Sequence, residues 1–145
     1  MPMVQDILLV KGNQVQTVQP TATALEAIRK MNQHKIGALL VMSDGRVEGI
    51  FTERDVLRRV VGQEKSPGEM LVSEVMTADV ICVEPETDLD DVSSIMKEKK
   101  IRHIPVCDSD GQLRGMISIG DVNAHHASHQ AATIHFLNEY IYGRA

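Results

Sequence analysis

The chain has only two cysteines and no long hydrophobic run, and these gaps exclude several classes of protein. Cys82 and Cys107 do not form a CxxC pair, and each lies in an apolar, strand-like segment, which favours two reduced core thiols. No apolar segment approaches the roughly 18 residues that a membrane span requires. The N-terminus from Met1 to Asp6 lacks the basic region of a signal peptide. We therefore expect a cytoplasmic protein with no membrane partner.

The chain also lacks a block of basic residues. Its 15 basic and 20 acidic residues give a formal charge of −5, whereas a nucleic-acid footprint requires Lys and Arg massed on one face. The nearest candidate is the segment Lys97–Lys100, whose cations suit the C-terminus of a solvated helix. The composition therefore argues against a nucleic-acid partner.

The common catalytic motifs are missing as well. The sequence contains no GxSxG, HExxH or Walker-type loop, and the carboxylates Asp55 and Asp121 lie in different halves of the chain. His125 and His129 have the i, i+4 spacing of a metal-binding helix, but no neighbouring carboxylate or thiol completes a zinc site. We expect neither an enzyme nor a metal site.

What the chain does contain is enough apolar sequence for one globular module. Its 145 residues are 43% hydrophobic, which makes it too apolar and too weakly charged for a disordered protein. Each half alone would be marginal, because a domain of about 60 residues buries too little of its surface. We expect the two halves to fold together.

The first half is predicted to have the order β-α-β-β-α. A lead-in segment and a short strand end at Thr17–Val18, and Thr23 with Glu26 fits a capping box for a helix that reaches about His34. Apolar runs at 36–42 and 47–51, separated by a polar turn, predict a strand hairpin. Thr52 then caps a second helix that ends near residue 62.

The same order returns after a linker at residues 62–72. Val83 lies 65 residues after Val18, and Asp121 lies 66 residues after Asp55, because the second hairpin turn has one extra residue. We predict a mixed α and β (α+β) fold in which two repeats pack with pseudo-two-fold symmetry. The divisions are a first repeat with its lead-in at 1–66, a second repeat at 67–127 and a C-terminal helical tail at 128–145.

The most informative repeat is the segment Gly49–Asp55, which returns as Gly115–Asp121. In each copy a hydroxyl stands where a helix N-cap belongs, and an aspartate follows three positions later. Such a helix start suits an anion or a polyol, although the commoner meaning of this spacing is a simple capping box.

The doubled pattern resembles the CBS domain pair, or Bateman module. The resemblance also rests on Ser73–Thr77, which opens the second half, and on Arg102–Val106. It implies a ligand with an adenosyl group: AMP, ADP, ATP or NAD, with S-adenosylmethionine less expected.

The resemblance also implies roles for individual residues. Asp55 and Asp121 would accept hydrogen bonds from ribose hydroxyls, which suits acceptor-only carboxylates, while Thr52 and Ser118 would face phosphates. Backbone at 17–18 and 81–82 would bind the adenine edge, and cations would neutralise phosphate charge. The implied contact residues are Thr17, Val18, Gly37, Ala38, Thr52, Glu53, Arg54, Asp55, Ile81, Cys82, Arg102, His103, Ile104, Pro105, Ser118, Ile119, Gly120 and Asp121.

The two predicted sites are unequal. Gly120 replaces Arg54 in the second copy, so that site must take its positive charge from Arg102 or His103. In the first copy the positions of these two residues are held by Gly37 and Ala38, which open space for an extended ligand.

The expected function is therefore regulatory. A nucleotide-sensing module would signal energy or metabolic state to an effector protein that the sequence does not identify, and the family usually forms homodimers. An alternative is a structural dimerisation module whose sites are degenerate and bind nothing.

Overall fold

The computed structural model describes residues 2–127. The predicted tail helix at 128–145 and the second member of the histidine pair, His129, lie outside the described residues. Within residues 2–127, no helix is long and apolar enough to cross a membrane. The same part of the chain has no cluster of three or more His, Cys, Asp or Glu side chains placed to hold a metal.

The first repeat has the predicted order β-α-β-β-α. It consists of β1 (Thr17–Val18), α2 (Ala24–His34), β2 (Ala38–Ser43), β3 (Arg46–Thr52) and α3 (Glu53–Asp55), after a helix α1 (Val4–Lys11). The last helix continues through a π-helical segment (Val56–Val60) and a 3-10 turn (Val61–Gln63). β1 is parallel to β2 and β2 is antiparallel to β3, so the strands form one sheet in the order β1-β2-β3.

The second repeat follows the same plan with one difference. After a 3-10 turn (Pro67–Glu69) and α4 (Val72–Val75), it contains α5 (Leu89–Lys99), the antiparallel pair β4 (His103–Cys107) and β5 (Leu113–Ser118), and a helix α6 at 119–127. The predicted opening strand is reduced to one parallel bridge between Val83 and Val106, which matches the pairing of Val18 with Val41. The predicted order of elements is kept in this repeat.

The two long helices are equivalent at both ends. Thr23 Oγ1 accepts a hydrogen bond from the Glu26 amide at the start of α2, and Asp88 Oδ1 accepts from the Asp90 amide at the start of α5. Each helix then ends at a lysine, Lys35 or Lys100, in the left-handed conformation with φ of 54° or 56°. This conformation stops the helix and turns the chain into the following strand.

Each repeat is completed by a helix that precedes the other repeat. Val4 and Ile7 of α1 belong to the core of the second repeat, whereas Val72 and Val75 of α4 belong to the core of the first. The remaining members of the first core include Ala24, Ala27, Met31, Leu39, Val41 and Phe51, and those of the second include Leu89, Val92, Met96, Ile104, Val106 and Ile117.

Backbone hydrogen bonds repeat this exchange symmetrically. The Val72 amide donates to Ala22 O at 2.8 Å, and the Val4 amide donates to Thr87 O at 2.9 Å. The division at residues 66 and 67 thus follows the sequence repeat, while the two cores are shared across it. A third apolar cluster, built around Ala38, Leu40 and Ile50, lies between the sheets and joins them.

The helix α1 was not predicted, because consecutive apolar residues obscure the helical spacing of Val4, Ile7 and Leu8. Leu8, Leu9 and Val10 are consecutive, so they face different sides of the helix. Leu9 and Val10 remain 83% and 91% exposed.

The exchange produces a testable difference between two equivalent glycines. A Cβ atom on Gly49 would lie 2.7 Å from Thr77 O, a backbone atom fixed by reciprocal hydrogen bonds with Ile50. A Cβ atom on Gly115 would lie 2.8 Å from Leu8 Cδ2, the end of a side chain that can rotate away. We expect Gly49→Ala to lower the free energy of unfolding by about 1–3 kcal/mol. Gly115→Ala should cost less, as measured by urea unfolding, and equal costs would contradict this account of the packing.

Candidate functional site

A cleft between the two repeats brings together much of the predicted site. It encloses about 440 Å³, and its walls come from the start of α3 and from the turn between α5 and β4. The predicted residues that line it are Gly37, Thr52, Glu53, Arg54, Asp55, Arg102 and His103. We call this space the first cleft.

The hydroxyl and carboxylate of the first signature form a reciprocal helix cap. The Thr52 amide donates to Asp55 Oδ2 at 2.9 Å, and the Asp55 amide donates to Thr52 Oγ1 at 3.4 Å. This geometry arises because β3 ends at Thr52 in extended conformation and the chain then enters α3 directly. The capping prediction is confirmed for this copy.

Asp55 has additional partners from elsewhere in the fold. Its Oδ1 atom accepts a hydrogen bond from Thr77 Oγ1 at 3.0 Å and lies 3.8 Å from Arg59 Nε. Thr77 follows α4, so the exchanged segment supplies this contact. The Asp55 side chain is only 6% exposed, and the carboxylate contributes to the fold besides facing the cleft.

The first cleft is positively charged although the chain carries a formal charge of −5. Its lining includes the cations Arg54, Arg58, Lys100 and Arg102 against the carboxylates of Glu53 and Asp55. Confined cations of this kind raise the local concentration of anions and bind phosphate or carboxylate groups.

One arginine also links the two repeats. Arg54 Nη1 donates to Lys100 O at 2.9 Å, at the C-terminus of α5, where a helix leaves carbonyl groups without intrahelical partners. Arg58 and Lys100 were not predicted as site residues from the sequence. Arg58 lies one helical turn after Arg54, and Lys100 is the helix-terminal residue next to the predicted Arg102, so both positions carried a detectable signal.

His103 lies near the centre of the module rather than on one side. Its Cε1 atom would lie 3.7 Å from a Cβ atom placed on Gly37. Burial, and to a smaller extent the charge of Lys11, lower the pKa of His103 below 6.5. At neutral pH the ring is therefore uncharged, which favours a hydrogen-bonding role over the phosphate-neutralising role that the resemblance implies.

The second signature has a similar cap but a different partner. The Ser118 amide donates to Asp121 Oδ2 at 2.8 Å, and the Asp121 amide donates to Ser118 Oγ at 3.1 Å. Lys11 Nζ binds the same Asp121 Oδ2 at 2.7 Å. Burial alone would raise the pKa of Asp121, but the hydrogen bonds from Lys11 and Ser118 outweigh it and the pKa is lowered.

The other predicted contact residues are dispersed. Thr17 and Val18 line a separate open cavity of about 600 Å³, where Lys30 Nζ binds Thr17 O. Ile119 lies beside Arg54 and Arg102 in a cavity of about 270 Å³, and Gly120 is exposed. Ala38, Ile104 and Pro105 are buried, so these three side chains do not present a free surface to a ligand.

The predicted adenine-binding backbone differs by one residue between the copies. The strand register makes Val83 equivalent to Val18, and Cys82 equivalent to Thr17. The predicted pair Ile81 and Cys82 therefore begins one residue too early for strict equivalence with residues 17–18.

The expectation of two core thiols was wrong, because neither cysteine belongs to the buried core. Cys82 is exposed and Cys107 is half-buried, and both are free. Burial and, next, a hydrogen bond with Cys82 raise the pKa of the Cys107 thiol to about 11.

The chain has two repeats, each with one copy of the capping signature, and each repeat can be compared with known families. The model of the CBS domain matches residues 4–62 and again 72–126. The chain belongs to the CBS domain family. Because the match occurs twice, the protein is a tandem CBS pair, a type of regulatory ligand-binding module.

Similar proteins agree with this assignment. The CBS domain-containing protein YhcV of Bacillus subtilis is 35% identical over 119 residues, which cover 82% of this chain and 84% of that protein. The CBS-domain protein ATU1752 of Agrobacterium tumefaciens is 40% identical with a TM-score of 0.82, covering 86% of this chain and 99% of that one. The CBS domain pair of MJ0100, solved with 5′-methylthioadenosine and S-adenosyl-L-methionine, is 23% identical with a TM-score of 0.77, over 88% and 98% of the two chains. This last likeness is one of fold alone.

The lowered pKa of His103 predicts how the stability of this CBS pair depends on pH. The unfolded chain takes up a proton near pH 6.5, before the folded protein does. The stabilisation from neutral His103 is therefore fully present above pH 6.5 and is lost as the pH falls towards the lower folded pKa. His103→Gln should reduce this loss in thermal unfolding between pH 7.5 and 5.5. The exposed His34→Gln serves as the control, and an unchanged pH dependence in His103→Gln would contradict the prediction.

The two caps predict unequal structural costs of removing the carboxylates. Asp55→Ala leaves the Thr52 amide and the Thr77 hydroxyl without their acceptor, which should lower the free energy of unfolding by about 1–3 kcal/mol. The Asp121 side chain is 25% exposed, so water replaces its lost contacts and Asp121→Ala should cost less. Urea unfolding measures both values. A larger loss in Asp121→Ala would show that burial does not decide the difference.

Proposed function

We propose that this CBS pair is a regulatory sensor of an adenine nucleotide, AMP, ADP, ATP or NAD, which binds between the repeats and signals to an effector protein. The observation that carries the proposal is the concentration of cations in the first cleft of an acidic chain. A phosphate group is the ligand that these side chains favour chemically.

The phosphates would contact cations from both repeats. Arg54 and Arg58 project from the first repeat, while Lys100 and Arg102 come from the second. The Thr52 hydroxyl also lines the cleft, and it can donate to a phosphate oxygen by giving up its 3.2 Å hydrogen bond to Asp55 Oδ2. Arginine is suited to this task because its forked donors match two phosphate oxygens at once.

The ribose would bind at Asp55. Thr77 Oγ1 already donates to Asp55 Oδ1 at 3.0 Å, which is the type of contact that a ribose hydroxyl makes with a carboxylate. Exchanging one hydroxyl donor for another preserves the number of hydrogen bonds, so the ligand need not leave a buried carboxylate unpaired. The adenine contacts predicted at residues 17–18 and 81–82 remain part of this proposal.

The charge of the cleft also ranks the ligands. S-adenosylmethionine carries a sulfonium cation, which the arginines of the first cleft repel, whereas AMP and ATP carry two or more negative charges. Nucleotides with phosphates are therefore preferred here, whatever the ligands of more distant CBS pairs.

Signalling would follow from contacts that span the repeats. The Arg54 side chain already bridges them through Lys100 O, and a phosphate between Arg58 and Arg102 adds a second link. A ligand that binds both repeats favours the arrangement in which its contacts coexist. We propose that the pair acts in this way as a cytoplasmic homodimer without catalytic activity of its own.

One observation favours the alternative of a structural module without a ligand. Both carboxylate oxygens of Asp55 are engaged by protein groups, Thr52 and Thr77 among them. Protein groups alone therefore satisfy this carboxylate. The binding experiment below separates the two functions.

The test is calorimetric titration with ATP, AMP, NAD and S-adenosylmethionine. We expect ATP to bind more tightly than S-adenosylmethionine. Arg58→Ala and Arg102→Ala should each lower the affinity for ATP by about tenfold or more, because each removes a charge-assisted hydrogen bond. Arg114→Ala is the matched control, because Arg114 pairs with Asp108 outside the cleft. Absence of binding at millimolar concentration by all four ligands would favour the structural module.

A further inference from the structure

The second signature has a cation that its own segment lacks. Gly120 occupies the position of Arg54, and the sequence suggested Arg102 or His103 as substitutes. In the structure the charge comes from Lys11, whose Nζ atom lies 2.7 Å from Asp121 Oδ2 and 2.8 Å from Met116 O. Lys11 was not identified from the sequence because it precedes Asp121 by 110 residues.

The position of Lys11 is set by the exchanged helix α1. Val4 and Ile7 anchor this helix in the core of the second repeat. The helix runs for eight residues, whereas the equivalent helix α4 has four, so Lys11 stands on the additional turn. Gly12 ends the helix with its amide donating to Leu8 O, which holds Lys11 at the C-terminus.

The two aspartates thus have different donors from the exchanged segments. Thr77 brings a neutral hydroxyl to Asp55, and Lys11 brings an ammonium group to Asp121. A ribose hydroxyl replaces a hydroxyl without changing any charge. Replacing the ammonium group breaks an ion pair, and the released cation then favours a new anionic partner.

We propose that Lys11 determines specificity at the predicted second site around Ser118 and Asp121, which we call the second cleft: Lys11 pairs with Asp121 and transfers to the phosphate when a nucleotide binds. A phosphorylated ligand therefore satisfies both groups, with its ribose on Asp121 and its phosphate on Lys11. An uncharged adenosyl ligand binds Asp121 through its ribose but provides no anionic group for Lys11. The second cleft then selects phosphorylated over unphosphorylated adenosyl ligands, an inference that rests on the proposed function.

The geometry allows this transfer. The Lys11 side chain is 37% exposed and that of Asp121 is 25% exposed, so the pair is accessible to solvent and to a ligand. A solvent-exposed ion pair holds weakly, and the flexible lysine stem can move its charge with little change in the helix.

The test is an NMR titration of the full chain with AMP and with adenosine. The Gly120 amide reports on the second cleft and the Gly37 amide on the first. In the unaltered protein we expect AMP to bind the second cleft more tightly than adenosine. Lys11→Met should lower the affinity of the second cleft for AMP and raise its affinity for adenosine by about threefold each. The preference for AMP then falls by about tenfold.

Two further variants separate charge from structure. Lys11→Arg keeps the cation and should keep the preference for AMP. Lys65→Met removes an exposed lysine from the linker and should change nothing. The dispersion of the amide signals of each variant, including Lys11→Met, shows whether any change in binding comes from altered folding.

The outcomes are distinguishable. An AMP preference at Gly120 that is unchanged in Lys11→Met would overturn the role of Lys11 and leave the proposed function standing. If AMP binds neither cleft of the unaltered protein, the proposed function fails, and the inference about Lys11 fails with it. A preference that falls in Lys11→Met and is kept in Lys11→Arg supports both.

Discussion

The reciprocal docking of two lead-in segments is the interaction on which the rest of this structure depends. Val4 and Ile7 complete the second core, and Val72 and Val75 complete the first, so neither repeat buries a full core from its own sequence. A half of this size is marginal in any case, because its surface is large relative to its volume. The exchange joins the halves into one stable unit. It also brings each lead-in next to the other repeat's capped aspartate.

The contact between each lead-in and the other repeat's aspartate makes the two sites differ. If the lead-ins were identical, the two sites would differ only through the repeats' own substitutions, such as Gly120 at the position of Arg54. One additional helical turn instead places Lys11 on Asp121, while the shorter segment places Thr77 on Asp55. A cation and a hydroxyl favour different ligands, since only a displaced cation is attracted to an anionic group of the ligand. Helix length therefore adds to the inequality that the substitutions between the repeats create.

In the first cleft the carboxylate of Asp55 is buried, whereas the cations are accessible to a ligand. The carboxylate of Asp55 is almost fully covered and satisfied by neighbours, which stabilises the fold. The cations lie at the rim, and Arg54 is held by the carbonyl end of α5. Burial instead keeps His103 neutral at the centre of the module. The cleft thus retains its positive charge without placing an unpaired cation in the core.

The sequence alone determined the repeat, the order of its elements, the two capping signatures and the family. These features depend on local spacing, as in Thr52 with Asp55, and local spacing is visible in a single chain. It did not reveal α1, the exposure of Cys82 or the positions of Arg58 and Lys100 in the cleft. Only the tertiary structure decided that Lys11 meets Asp121, because contacts between residues 110 positions apart depend on how the repeats exchange their helices. Long-range docking of this kind leaves no periodicity in the sequence.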